Sequence, residues 1–212
     1  MRGSQEPWTS SVPATFYLAR HGETPEDVPG NEKITGWRDV PLNAQGRLNA
    51  KRAGQFLKRK GITHILSSTS ERAAQTADFI AKETGLKVVE SDRFRSWNMG
   101  AMQGMDVEAA KPFLTYFEKN PDCKPPNGEK FNTFYNRFKD AFYGVVSYVR
   151  RFPASRPVVV THSQGMDIIS WFLKGIEPGK TLEFGEGIPP GGVMEVNIDD
   201  TGKISTRKLR VN

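Results

Sequence analysis

Two histidines stand directly after short apolar runs: Phe16–Ala19 leads into Arg20–His21–Gly22, and Val158–Val160 leads into Thr161–His162–Ser163. A third run, Thr63–Leu66, leads into Ser67–Ser68–Thr69–Ser70–Glu71–Arg72. There Ser68 and Glu71 have the spacing of a capping box, which predicts a helix start with Arg72 in its first turn. If the three runs are neighbouring parallel strands, their carboxyl ends share one edge of a sheet, the usual place for ligand sites in open α/β folds. Arg20, His21, Arg72 and His162 then converge. So many potentially cationic groups repel one another unless a multiply charged anion sits among them, and phosphate is the natural guest. Phosphoryl transfer asks the protein mainly for positioning and charge stabilisation, which arginine forks and imidazoles supply. A neutral imidazole is also a competent nucleophile toward phosphorus, and a phosphohistidine splits hydrolysis into two easier steps.

The elements that would position these residues follow from periodicity. Strand candidates are Phe16–Ala19, Thr63–Leu66, Leu86–Val89, Pro157–Thr161, Gly192–Ile198 and a last one over Lys203–Leu209, after the turn-forming Asp199–Asp200–Thr201–Gly202. Helical patterns alternate with them. Ala44–Lys60 groups Leu48, Ala53, Phe56 and Leu57 on one side, and Thr69–Glu83 groups Ala73, Ala77, Phe79 and Ile80. Phe131–Phe152 carries an aromatic and valine stripe from Phe134 to Val149 that reads as core. Alternating strands and helices predict an α/β fold: a three-layer α/β/α sandwich with a mixed, mostly parallel sheet and an antiparallel edge. Proline accumulates at Pro112, Pro121, Pro125 and Pro126, so residues 104–130 are expected to form a cap-like insertion. At 212 residues, one domain over 15–212 is expected, preceded by a polar leader over 1–14 that lacks the apolar core of a secretory signal.

Composition narrows the function classes. The hydrophobic fraction of 37% and charged fraction of 25% suit a folded soluble chain, with no segment as long as a membrane span. A single cysteine, Cys123, excludes an internal disulfide and has no histidine nearby to activate it, so a reducing, cytoplasmic setting is expected. The net charge of +6 could serve nucleic acid, an anionic membrane or an anionic substrate. Its densest runs, such as Lys58–Arg59–Lys60, read as solvated helix faces, so the expected partner is a phosphorylated small molecule or phosphoprotein, with no nucleic acid and no membrane. His64 lies inside a strand and is left out of the site. Neither His21 nor His162 comes with Asp, Glu or Cys at metal-ligand spacing, so no metal and no cofactor is expected.

Taken together, these segments resemble the histidine phosphatase superfamily, the phosphoglycerate-mutase-like fold, from about Phe16 to Ile198. The resemblance is carried by Leu18–Thr24, Thr35–Gly46, Ser67–Ala77 and Val160–Ser163. It implies His21 as the phosphorylated residue, with Arg20, Arg72 and His162 holding the phosphoryl oxygens. It also implies that Asn31, Thr35, Gly36 and Ser163 line the phosphate or substrate side. Trp37, Trp97 and the aromatics over Phe113–Phe117 either shape substrate access or simply pack.

One departure bears on mechanism. Mutase-type members carry a proton-donating glutamate in a segment reading Leu-Arg-Glu with glycine four residues on, and the matching segment here is Phe94–Arg95–Ser96–Trp97–Asn98–Met99–Gly100. Ser96 stands in the acid's place. A serine hydroxyl is no general acid near neutral pH, and losing such an acid costs about 10²–10⁴-fold with poor leaving groups. Three outcomes stay open: another carboxyl (Glu26, Asp27, Asp106 or Glu129) serves, the substrate has a readily departing leaving group such as a phosphoramidate or aryl phosphate, or the chain binds phosphorylated ligands without turnover. Because His21 is retained, hydrolysis is the expected activity, with binding and then mutase activity as alternatives.

Overall fold

The computed structural model describes residues 12–179 and 187–211. Along them run β1 (Ala14–Arg20), α1 (Ala44–Arg59), β2 (His64–Ser67), α2 (Glu71–Thr84), β3 (Val88–Glu90), α3 (Val107–Lys119), α4 (Phe131–Arg151), β4 (Pro157–Thr161), α5 (Ser163–Leu173), β5 (Val193–Ile198) and β6 (Ile204–Leu209). The strand order is β3-β2-β4-β1-β5-β6. The first four of these run parallel, whereas β5 is antiparallel to both β1 and β6. All of β4 is buried, as expected of a central strand covered on both faces. Register decides what the sheet delivers at its edge: Arg20 lies opposite Thr161, and Ser67 opposite Val160. His21, His162 and Ser68 therefore leave three adjacent strands at the same level.

Side-chain alternation sorts β1 between two cores. Tyr17 and Ala19 face α1 and α2, packing with Leu57, Ala77 and Ile80. Phe16 and Leu18 face the other way, into a larger core with Phe134, Phe138 and Phe142 of α4 and Ile169 of α5. The result is the expected three-layer α/β/α sandwich with a mixed, mostly parallel sheet. Burying each such large side chain is worth about 1.5–3 kcal/mol, so the scaffold behind the edge is set by packing on both sides.

Several local expectations differ from the structure. Leu48 is 52% exposed, because α1 buries Ala50, Ala53, Gly54 and Leu57, and a residue two positions from Ala50 lies about 200° around the helix. The third strand is Val88–Glu90, two residues later than the apolar run, with Val89 exposed at the sheet edge. The insertion contains α3, a 13-residue helix with Pro112 inside it, capped by Asp106. α5, an 11-residue helix not among those expected from the sequence, buries Met166, Ile168, Ile169 and Trp171 and leaves Ser163, Gln164, Asp167 and Ser170 half-buried on its other face. Residues 1–11 of the expected leader lie outside the described residues, and β1 already begins at Ala14.

The insertion is anchored to the loop that follows His21. Ile34 N donates to Met105 O, Gly104 N to Ile34 O, and Val107 N to Glu32 O, at 2.7–3.0 Å. Glu129 closes its far end: the carboxylate pairs with Arg137 and accepts from Asn98 N, both at 2.8 Å.

Candidate active site

His21 is held by its backbone before its ring is considered. Its N–H donates to Thr161 O of β4, and its carbonyl accepts from Gly191 N. The ring lies in a buried hollow where Nδ1 contacts Gly22 O at 2.7 Å and Nε2 accepts from Arg72 Nε at 3.2 Å. Arginine only donates, so Nε2 carries the lone pair and Nδ1 the proton. Burial, then the Arg72 charge, push the imidazole down to about 3 from the usual 6.5, against an upward pull from Asp27. The ring is thus neutral, with its lone pair toward the guanidinium.

Arg72 enters from the first turn of α2 and is 2% exposed. Its Nη2 donates to Gly36 O at 2.9 Å, and its Nη1 to Arg38 O at 3.1 Å, so the loop over 36–38 is folded around this guanidinium. Burial lowers it to about 10, which leaves it charged at neutral pH. Nη2 also reaches His162 Nδ1 at 3.1 Å. Hence His162 Nδ1 is an acceptor, and its Nε2–H donates to Ser68 Oγ at 3.0 Å and Ser70 Oγ at 3.1 Å. Burial, then Arg72 and the other nearby basic groups, hold His162 well below 6.5. The two imidazole centroids are 5.2 Å apart.

Arg20 reaches the same hollow from β1. It donates through Nη1 to Ile188 O at 3.0 Å and through Nη2 to Asp27 Oδ1 at 2.5 Å, while its buried Nε has no partner. Two helices begin here as well, α2 after Ser70 and α5 after His162, and neither has its first N–H groups capped by the side chain before it. The first N–H of α2, on Glu71, donates to Asp39 Oδ1 instead, so the start of α5 is the one that adds partial positive charge favourable to an anion.

Arg20, His21, Arg72 and His162 are therefore brought together, and the remaining residues singled out in the sequence scatter. Gly36 is buried against Arg72 through its carbonyl, and Thr35 is half-buried beside it. Ser163 opens α5 next to His162, half-buried. Asn31 is exposed, with its amide donating to Pro25 O, and Asp27 rather than Asn31 bonds a member of the cluster. Ser68 does not cap α2; the helix starts at Glu71, and the Ser68 and Ser70 hydroxyls serve His162 instead. Serine is equally at home in a cap or against a side chain, so spacing alone could not separate the two.

The four alternative carboxylates are distributed differently. Asp106 is exposed at the start of α3, Glu129 is paired with Arg137, and Glu26 with Arg38. Only Asp27 bonds the cluster. Ser96 is 5% exposed and donates from Oγ to Gln164 Oε1 at 2.7 Å, a neutral pair that ties Ser96 to the first turn of α5, two residues after His162. Trp37 Nε1 donates to Ser96 O, and the Arg95 guanidinium lies 4.6 Å over the Trp37 ring. Trp97 is fully buried in the core, stacked among Phe131 and Phe134, whereas Phe113 and Tyr116 of α3 are exposed. His64 lies at the opposite end of β2, paired with Tyr148. Among the described residues no cluster of three or more His, Cys, Asp or Glu could hold a metal ion, and no helix is long and apolar enough to cross a membrane.

The sequence profile described as histidine phosphatase superfamily (branch 1) matches residues 16–209. A probable phosphoglycerate mutase GpmB of Yersinia enterocolitica is 32% identical over 168 residues, 76% of this chain and 75% of that one. A phosphoglycerate mutase from Bacillus anthracis shares the fold with a TM-score of 0.77 at 22% identity, covering 95% of this chain and 94% of that chain. A mycobacterial glucosyl-3-phosphoglycerate phosphatase does so with a TM-score of 0.74 at 23% identity, covering 93% and 97%. With its paired strand-end histidines and a profile match across nearly its whole length, the chain belongs to the histidine phosphatase superfamily, as an enzyme of phosphatase or mutase type.

Proposed function

We propose that the protein is a metal-independent phosphatase that hydrolyses a phosphomonoester or phosphoramidate through a phosphohistidine on His21. The observation that carries this reading is the state of His21: a neutral ring whose Nδ1–H is engaged by Gly22 O and whose Nε2 lone pair faces Arg72. In the first step Nε2 bonds to phosphorus as the bond from phosphorus to the leaving group breaks. The Nδ1–H···O contact then stabilises the positive imidazole. In the second step water attacks phosphorus, the P–N bond breaks, and His21 regains its lone pair. Arg20, Arg72 and His162 stabilise the equatorial oxygens throughout, with Gly36, Thr35 and Ser163 at the rim.

The leaving group would depart beside Ser96 and Gln164, a pair with no carboxylic acid. This favours phosphoramidates and aryl phosphates, whose departure needs little protonation, over transfer back to an alkyl hydroxyl as in a mutase. The expected substrate carrier is a small molecule or a phosphoprotein, and the expected compartment is the cytoplasm, which an unpaired Cys123 suits.

The test is hydrolysis of an aryl phosphate with chelator present, followed together with an acid-labile phosphoprotein. Turnover lost in His21→Ala supports the reading. Tight phosphopeptide binding without turnover of any substrate would make the chain a binding module, and strict chelator sensitivity would make it a metal hydrolase.

A further inference from the structure

The Asp27 carboxylate is out of keeping with an anion hollow. Its Oδ1 lies 2.5 Å from Arg20 Nη2, its Oδ2 accepts from both Thr24 N and Thr24 Oγ1, and its side chain is only 15% exposed. The charged and titratable groups that face it are Arg20 at the end of β1, His21 just beyond, and Arg72 of α2 across the hollow. His162 at the head of α5 belongs to the same cluster through Arg72 and His21. Both imidazoles are neutral, so the resting hollow holds two guanidinium charges against one carboxylate. While empty, that carboxylate stays ionised: burial pulls its affinity for protons up, but the Arg20 charge and the two hydrogen bonds from Thr24 hold it below the usual carboxylate range.

A phosphoryl dianion changes this balance. It brings two negative charges next to a carboxylate and competes for the same Arg20 guanidinium. Like charges at such separations cannot all remain ionised, and the cheapest relief is one proton. We propose that Asp27 is the proton-carrying member of the hollow: a tetrahedral dianion binds between Arg20, Arg72 and His162 together with one proton from solvent, and that proton rests on the Asp27 carboxyl, which then donates to an anion oxygen. No bond to phosphorus is made or broken in this step. The carboxylate gains one proton and the site gains one dianion. Asp27 thereby becomes a binding residue for the phosphoryl group, and the hollow favours dianions at lower pH. The inference rests on the phosphatase reading only in placing the anion within this cluster.

Sulfate is the probe, because it is a tetrahedral dianion that does not itself titrate over the range needed. Calorimetric binding in two buffers of different protonation enthalpy counts the protons taken up. For the wild type, sulfate affinity is expected to weaken by at least about tenfold from about pH 5 to about pH 8, with uptake approaching one proton, because a single linked proton gives up to tenfold per pH unit. In Asp27→Asn both the uptake and the pH dependence are expected to vanish. A smaller change in the wild type overturns the proposal without recourse to any variant. The same uptake in Asp27→Asn would assign the proton to a histidine and overturn it too. Wild type that binds no sulfate also overturns it, and His21-dependent aryl phosphate turnover in that protein would leave the phosphatase reading standing.

Discussion

Replacing Gly46 by alanine tests whether contact between α1 and the His21 loop sets the position of His21, the proposed nucleophile. α1 starts under that loop: Asn43 N donates to Glu23 O, and Asn43 Oδ1 accepts from Gly46 N at 2.7 Å. A Cβ on Gly46 would lie 2.0 Å from Glu23 O, and one on Gly22 would lie 2.2 Å from Gly46 O. Ordinary contact begins near 3.4 Å, so helix and loop would have to part by about 1.4 Å. Both neighbours are backbone, so no side chain can swing aside. The peptide that moves directly follows the one holding His21 Nδ1 through Gly22 O, whose own Glu23 N would lie 2.8 Å from the added Cβ. Misplacement by about 1 Å costs on the order of 10²-fold in rate, and overpacking of this kind costs about 1–3 kcal/mol. For a chain of this size the latter corresponds to a Tm lower by about 2–12 °C. The assay is steady-state hydrolysis of an aryl phosphate below the variant's melting point. Gly144→Ala in α4, where a Cβ meets nothing within 4 Å, is the control; it should leave the rate at wild type and, through helix propensity, raise Tm by about 2–4 °C. A folded Gly46→Ala enzyme with wild-type turnover would refute the argument.

Three further outcomes are expected. Ser96→Glu supplies the absent acid, so turnover of alkyl relative to aryl phosphates should rise by up to about 10²–10⁴-fold, and an unchanged dependence of rate on leaving-group acidity would count against a role for Ser96 at the leaving group. Ser68→Ala and Ser70→Ala should each be mild because the other hydroxyl still accepts from His162. Together they strand a buried donor and should cost about 1–3 kcal/mol in urea unfolding, a double-mutant cycle far from additive. Glu118 of α3 is buried, and burial raises its pKa to about 8 from 4.5, so the folded chain binds more protons than the unfolded one between those values. Its contribution is present below about 4.5 and lost as pH rises toward about 8, so Glu118→Gln should raise Tm at about pH 8 and leave it unchanged near pH 4.

The cluster was legible because strand ends are legible. Short apolar runs name the strands, parallel pairing aligns their ends, and each end is followed by a residue whose chemistry is specific. The partners of those residues were much less so. Ser68 and Ser70 look like cap residues, and only the position of His162 above α2 turns their hydroxyls toward an imidazole. Asn31 and Asp27 lie in one loop with comparable chemistry, and the path of that loop, tied at Ile34 to the insertion, decides which of them reaches Arg20. α3 was hidden by Pro112, which reads as a breaker in sequence, and α5 by its length of 11 residues, a span too short for a helical period to stand out.

The backbone bonds joining residues 32–34 to 104–107 have a practical meaning for anyone wishing to redirect this enzyme. The strand-like seam makes the insertion and the loop after His21 a single mechanical piece, which also carries the carbonyls that grip Arg72. Exchanging the insertion alone for that of a relative would pull on the loop bonded to it and loosen the guanidinium. A transplant of selectivity has to move residues 24–38 and 104–130 as one unit.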